Sequence, residues 1–544
     1  FLEGGAMERR KIRFGSVAIF FLLAAVLVFG QVPGSAWAQK RGGTLVVGLE
    51  ADPGHFNLIV KPGTTVQVPA VNIYNKLITL DFALNPKPEL AKSWEVKDGG
   101  KTLIFHLRKG VKFHDGKEMT SEDVKFSLEK CLPYNPRSRV FWKPVAEKVE
   151  APDKYTIVVR LKKPFAPLLT VMGVIFGGPA IYPKHLWKDH VGSRKAFLNA
   201  PWSKKPVGTG PFMLKEYKKG SHVRLVRNPN YWNAPKPYAD ELVIRFVSDA
   251  NTRLIALEKG EIDYLRAALI PWDQAARLKK NPKLVVLDKG GEATGQVEFM
   301  LLNLRRPITG NVKVRQAIAY ALDKNQISQL ATGGTAKVAD GIMHSAMKWA
   351  HKGSFAQYKQ DLKMANRLLD EAGYPMKGGK RFSLTVTWAK GRGFEGLAAE
   401  VIKQQLKKVG IDIKIESFDR AATLKKVYIN HDFDIMMQFF TTGPDPKISV
   451  TRVYDRNNIG SANFNNAPSY INVGVQRLLD AEWQIPDVKK RGAAWRQIVD
   501  MVAADAPVIP LFETPFVHTH SAKWADVVTR PYCAYCTRED AYQK

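Results

Sequence analysis

Cysteine is nearly absent: Cys131, Cys533 and Cys536 are the only three in 544 residues. That scarcity excludes a disulfide-dense scaffold, and no Cys/His set has the spacing of a structural zinc site. Acidic residues are also short, 51 against 82 Lys and Arg, leaving a formal net charge of +31. Such an excess suits nucleic acid, an anionic membrane surface or an acidic ligand. No dense Lys/Arg tract occurs beyond residue 38, so basic side chains spread over a solvated surface explain the charge most simply. The sequence has no internal repeat, low-complexity tract, nucleophile elbow, phosphate loop or His/Glu metal motif, which leaves an enzyme reading little support. The expectation is no catalytic residue, no metal and no cofactor.

Long apolar runs are limited to one, residues 17–29, shorter than the ~20 residues of a membrane span. Arg9, Arg10, Lys11 and Arg13 precede it, and Ala36-Trp37-Ala38 supplies a small-x-small cleavage site. Residues 7–38, from Met7, therefore read as a cleavable secretory signal, with 1–6 as upstream sequence. No Cys lies near the cleavage site, so a lipid-anchored form is not expected and the compartment is the periplasm. Export removes nucleic acid as a partner. In an oxidising compartment Cys533 and Cys536 are expected to close a small disulfide, and Cys131 to be a buried small hydrophobe. His518 and His520, two apart on one face of a strand, read as an incidental surface pair. Hydrophobic residues at 45% and charged residues at 24% are ordinary for a globular chain, and the length suits three or so lobes.

The most ordered stretch is 94–131. Residues 102–108 (TLIFHLR) read as a strand, 111–114 as a second short strand after Lys109-Gly110, and Asp115-Gly116 as a turn. Thr120 then caps a helix whose Val124, Leu128 and Cys131 form one stripe. His114-Asp115 lacks a third partner nearby and makes no site. Further strands are expected at 41–50, 155–161 and 242–246, with a hairpin at 212–217 and 222–227. Helices are expected at 66–80, 250–259, 312–322, 361–372, 473–482 and 489–504. Residues 382–388, 395–409, 411–417, 421–429 and 433–440 alternate strand and helix with short connections, the pattern of a parallel sheet in an α/β lobe. A strand at 508–512 is placed where it returns to the first lobe.

Two segments carry a resemblance. The order W-x-V-x-D-G-G-K-T-L-x-F-x-L-R-K-G-V-K-F-H-D-G-K from Trp94, followed by T-x-E-D-V-x-F-S-L from Thr120, resembles the family 5 extracellular solute-binding proteins. So does PVGTGPFMLKEYKKGSHVRLVRNPNYW from Pro206. The resemblance covers nearly all of 41–520. It implies an α/β, two-lobed periplasmic-binding-protein fold (class II type) with an additional third domain. Domain I would comprise 39–78, 208–299 and 512–544, the extra domain II 79–207, and domain III 300–511. It also implies a monomer that captures a short peptide or peptide-like solute and delivers it to an inner-membrane ABC permease. An opine, sugar acid or metal chelate is the alternative ligand; a secreted hydrolase or periplasmic chaperone is the alternative of another class.

Candidate ligand contacts follow from the rule that ligands bind beyond the carboxyl ends of strands. The loop after the first strand offers His55 and Asn57, or is a simple turn. The 388–394 loop offers Trp388 and Arg392, whose planar fork matches a carboxylate. The 439–446 loop offers Phe440, Thr441, Thr442 and Asp445. Two roles stand open for Asp445, a ligand cation or the cap of the following helix. In the peptide-binding branch an Arg before the second-lobe helix fixes the peptide carboxylate, a position Arg392 could match. An Asp three residues before the D-P dipeptide holds the peptide amino end there. Thr442 stands at that position here, and a hydroxyl cannot neutralise an ammonium.

Overall fold

In the computed structural model the described residues are 39–60, 62–174, 178–267, 269–391, 393–460 and 463–544. The signal at 7–38 and Arg392 lie outside them. Among the described residues three large sheets, each with its own apolar core, organise Arg41–Lys544.

The first is a seven-stranded mixed sheet. Its strands are Thr44–Leu49, Phe212–Lys218, His222–Arg227, Glu241–Phe246, Tyr264–Leu265, Leu284–Asp288 and Val517–Ser521. Thr44–Leu49 lies parallel to Glu241–Phe246, and the hairpin at 212–227 extends that edge. On the other side Val517–Ser521 runs antiparallel to both Tyr264–Leu265 and Leu284–Asp288. The helix Ala250–Lys259 ends at Gly260, whose φ of 77° is the left-handed cap that glycine adopts without strain.

The second sheet has four antiparallel strands: Ala91–Lys97, Thr102–Leu107, Ala146–Asp153 and Thr156–Leu161. Here the expected hairpin is corrected. Thr102–Leu107 pairs with Ala91–Lys97 and Thr156–Leu161, while 111–114 contributes only a bridge from Lys112 to Glu118. His114 turns away instead to the 208–210 loop, with Nε2 3.0 Å from the Gly210 carbonyl. The helix Ser121–Phe126 starts where expected, the Thr120 amide donating to Asp123 Oδ2 at 2.9 Å.

The third sheet has six strands: Gln296–Leu302, Lys337–Val338, Phe382–Ala389, Ile411–Phe418, Ile435–Thr441 and Val508–Glu513. Phe382–Ala389 is parallel to both Ile411–Phe418 and Ile435–Thr441, as the alternating pattern predicts. Val508–Glu513 pairs antiparallel with Gln296–Leu302, so it belongs to this sheet; the strand that returns to the seven-stranded sheet is Val517–Ser521. That return strand buries His518 and His520, which corrects their reading as a surface pair.

The helix expected at 66–80 is also corrected. Only Thr64–Ala70 is helical, and Ile78–Leu80 is a strand. The carbonyls of Asn72 and Ile73, which a longer helix would use, accept from the amides of Phe212 and Gly210. A Cβ at Gly210 would lie 2.5 Å from the Ile73 carbonyl carbon, so this docking needs glycine. At the end of the chain Cys533 and Cys536 form a disulfide, and Cys131 is buried and free.

Candidate functional site

The chain crosses between the seven-stranded and six-stranded sheets at two adjacent places. Leu284–Asp288 runs through 289–295 into Gln296–Leu302, and Val508–Glu513 runs through 514–516 into Val517–Ser521. The crossings lie side by side, since Asp288 pairs with Val517 and Val297 with Glu513. Glycine makes the crossing possible: a Cβ at Gly291 would sit 1.9 Å from the Phe516 ring. The 441–445 loop lies against the same connector. The Thr442 amide donates to the Gly295 carbonyl at 2.6 Å, its hydroxyl donates there at 3.0 Å, and that hydroxyl accepts the His344 amide at 3.0 Å. Two strands joined by a short, glycine-bearing connector form a natural hinge.

Aromatic side chains meet beside it. Trp272 opens the helix Trp272–Lys279, which packs on Leu284–Asp288 of the seven-stranded sheet. Its ring stacks on Phe394 at 4.4 Å and stands near Phe512 at 6.4 Å, both on the six-stranded side. The four-stranded domain reaches the same side through Trp483: the Ala166 amide donates to its carbonyl at 2.9 Å, and Phe165 and Lys163 pack on its ring.

Charge is distributed unevenly over the six-stranded side. Arg491 is fully paired, with bidentate hydrogen bonds to Asp445 at 2.6 and 2.7 Å and a third to Glu482 at 2.7 Å. Arg452, on the short helix Thr451–Tyr454, instead lies 5.3 Å over the Phe440 ring. Its Nε is buried without a hydrogen-bond partner, as is the Tyr428 hydroxyl.

A family model described as bacterial extracellular solute-binding proteins, family 5, matches residues 85–461, more than half of the chain. The chain belongs to that family. The oligopeptide-binding protein AppA of Bacillus subtilis is 28% identical over 93% of this chain and 94% of its own length. The dipeptide-binding protein of Escherichia coli is 30% identical over 75% of this chain and 78% of its own. Among solved structures, the periplasmic binding protein DppA from Helicobacter pylori, in complex with the peptide STSA, superposes with a TM-score of 0.71 at 27% identity. That match covers 93% of this chain and 98% of the other. The fold is therefore the periplasmic-binding-protein type expected of family 5.

Within this family 5 fold the sequence-chosen residues have different fates. Trp388 is the next-to-last residue of Phe382–Ala389, half-buried, its indole over Gly396 of the next helix and its Nε1 without a partner. Phe440 is buried in Ile435–Thr441, and Thr441 is the half-exposed last residue of that strand. The register pairs Thr387 with Met436, so alternation puts Phe440 and Trp388 on opposite faces of the sheet. They do not form one aromatic enclosure. Asp445 takes the capping role, accepting the Lys447 amide at 2.9 Å while it pairs with Arg491. Asn57 is fully buried; its Oδ1 accepts the Ile59 and Val60 amides and its Nδ2 meets the Phe197 carbonyl and Ser203, so it braces its own loop. His55 is half-buried and its Nδ1 accepts the Asn57 amide.

Sequence reasoning missed Trp272, Arg452 and Arg491. Trp272 carried a signal, standing behind Pro271 at the head of an amphipathic run. Arg452 and Arg491 carried none, because nothing local separates a paired arginine from an unpaired one.

Proposed function

We propose that this chain is the periplasmic substrate-binding component of an ABC importer that captures a short peptide or peptide-like solute. The observation that carries the reading is the pair of adjacent crossings, which lets the two α/β sheets close on a ligand like jaws. On this reading 39–78, 208–299 and 512–544 form lobe I, 79–207 the extra domain and 300–511 the opposing lobe. Residues 7–38 are removed on export, and the mature monomer hands its solute to an inner-membrane permease. The peptide-binding names of its relatives support the ligand class, and a family of binding proteins argues against hydrolysis.

One observation favours a second ligand. The Thr442 hydroxyl is engaged by the Gly295 carbonyl and the His344 amide. It brings no carboxylate to a peptide ammonium, which suits an opine or another conjugate without a free amino end.

The test is native mass spectrometry of protein purified from a periplasm without refolding, followed by small-angle scattering with and without the ligand found. Peptide adducts and a compaction on binding are the expected result. A ligand that binds with no change in the scattering curve defeats the closure reading; a single opine-like adduct moves the ligand class and keeps the transport role.

A further inference from the structure

A cavity of about 640 Å3, its open mouth included, lies where residues 58–76 and the C-terminal segment 530–539 meet the two-stranded sheet of Ile78–Leu80 and Pro86–Pro88. That volume falls in the range of small-molecule sites, roughly 300–1,000 Å3. Among the described residues none of 300–511 lines it, so it is not part of the space between the seven-stranded and six-stranded sheets.

Its wall holds charges that are loosely matched. A buried ammonium needs partners for its three donors, ordinarily at about 2.7–2.9 Å. The Lys76 side chain is 12% exposed, yet its Nζ comes no closer than 3.4 Å to the Tyr532 hydroxyl and 3.6 Å to Glu89 Oε2. Neighbouring pairs are tight by comparison, Lys236 with Asp540 at 2.5 Å and Arg530 Nη2 with Glu539 at 2.8 Å. Burial works against the Lys76 charge, but Glu89 and Tyr532 outweigh it and raise Lys76 above its ordinary value, so the ammonium persists. Glu89 is half used: Oε1 accepts the Asn75 side chain at 2.9 Å and the Lys76 amide at 3.1 Å, while Oε2 is buried with no hydrogen bond. Arg530 turns its Nη1 to the cavity wall with contacts only at 3.4 Å to the Thr529 carbonyl and 3.5 Å to Asp540. The hydroxyls of Tyr74 and Thr537, which also line the space, are buried without a partner.

Spare donors on two cations, beside a carboxylate oxygen with spare lone pairs, match a solute that carries both charges. The rings of Tyr74, Tyr532 and Trp232 supply an apolar wall for its side chain. The wall is also held in place. The Pro531 carbonyl accepts the Ala293 amide at 2.7 Å, the Cys533 amide donates to the Gly290 carbonyl at 2.6 Å, and the Cys533–Cys536 disulfide closes the same segment.

We propose that this cavity is a second ligand site, taking a free α-amino acid with its carboxylate on Lys76 and Arg530 and its ammonium on Glu89. The site stands apart from the solute held between the sheets and does not depend on that reading.

The experiment titrates the protein, dialysed free of solute, with the common L-amino acids, their α-amides and their N-acetyl derivatives. Wild type is compared with Lys76→Met, Lys76→Arg and Glu89→Gln, with melting curves to check the fold. Amide exchange with and without the tightest probe locates the site. At least one free amino acid is expected to bind wild type with Kd below about 1 mM, and its amide and N-acetyl derivatives at least about tenfold more weakly. Lys76→Met and Glu89→Gln should lose the same factor, Lys76→Arg should keep part of the affinity, and exchange should slow across 72–89 and 530–540. No amino acid binding below about 1 mM overturns the proposal. So does equal affinity for the amide and N-acetyl derivatives, unchanged affinity in Lys76→Met and Glu89→Gln, or protection confined to residues outside those two segments.

Discussion

Arg491→Met should unfold this protein at a markedly lower temperature, because it strands two buried carboxylates at once. The guanidinium makes three charged hydrogen bonds of 2.6 to 2.7 Å, two to Asp445 and one to Glu482. All three side chains are at most 5% exposed, so water cannot replace what is lost. Removing one partner of such a buried group costs about 3–5 kcal/mol. For a cooperative unit of about 200 residues, that corresponds to a melting temperature lower by roughly 10 °C. The sign with pH is also fixed. Burial first, and the neighbouring Asp445 charge after the opposing pull of Arg491, leave Glu482 above its ordinary value. A carboxyl raised in the folded state contributes most below its unfolded value, about 4.3, and loses that contribution as pH rises through the folded one. Without Arg491 this rise is larger, so the deficit is greatest near neutrality and shrinks on acidification. Calorimetry of wild type, Arg491→Met and Arg491→Met/Asp445→Asn between pH 5 and 8 checks this, with the double variant recovering part of the loss. A single variant that melts within about 3 °C of wild type at neutral pH would refute the reasoning.

Trp272→Ala removes a stack that joins the two sides of the hinge while leaving each core in place. An aromatic pair is worth about 0.5–1.5 kcal/mol, so ligand affinity should fall by up to about tenfold in titration calorimetry; unchanged affinity removes the stack from the closing contacts. His518 is pulled down to about 3 by burial first and then by the Arg538 and Arg266 charges, so it folds as the neutral form. A base with a depressed folded value contributes its stability above its unfolded value of about 6.5 and loses it as pH falls from there toward 3. Melting temperatures should decline across that window, with a shallower decline in His518→Gln; identical slopes contradict the assignment. Cys533→Ser/Cys536→Ser opens a four-residue loop, for which the chain-entropy estimate is about 2 kcal/mol. Faster amide exchange across 524–544 with a small loss of stability is the expected outcome, and unaltered exchange there refutes it.

Local pattern alone located most of the six-stranded side. Residues 382–440 alternate strand and helix with the right periods and caps, and the elements appear there within a few residues of expectation. The hairpin at 212–227 and the helix Ala250–Lys259 were legible for the same reason: turn chemistry and a C-terminal glycine act within one or two turns of chain. Ala91–Lys97 and Ala146–Asp153 were missed because their many polar residues read as loop until a neighbouring strand supplies the hydrogen bonds, and the short apolar run Leu284–Asp288 was missed as well. Residues 71–77 failed in the opposite sense, being apolar enough for a helix until Gly210 and Phe212 take their carbonyls.

The sequence by itself determined the family, the class of fold and most element boundaries, since these rest on motifs and periodicities between near neighbours. Only the tertiary structure decided sheet membership for 508–513, the burial of His518 and His520, and the pairing of Asp445 with Arg491. The reason is one of range. Asp445 and Arg491 are 46 residues apart in the chain. Whether a charge is paired depends on what packing brings to it, and that is written in no window of sequence.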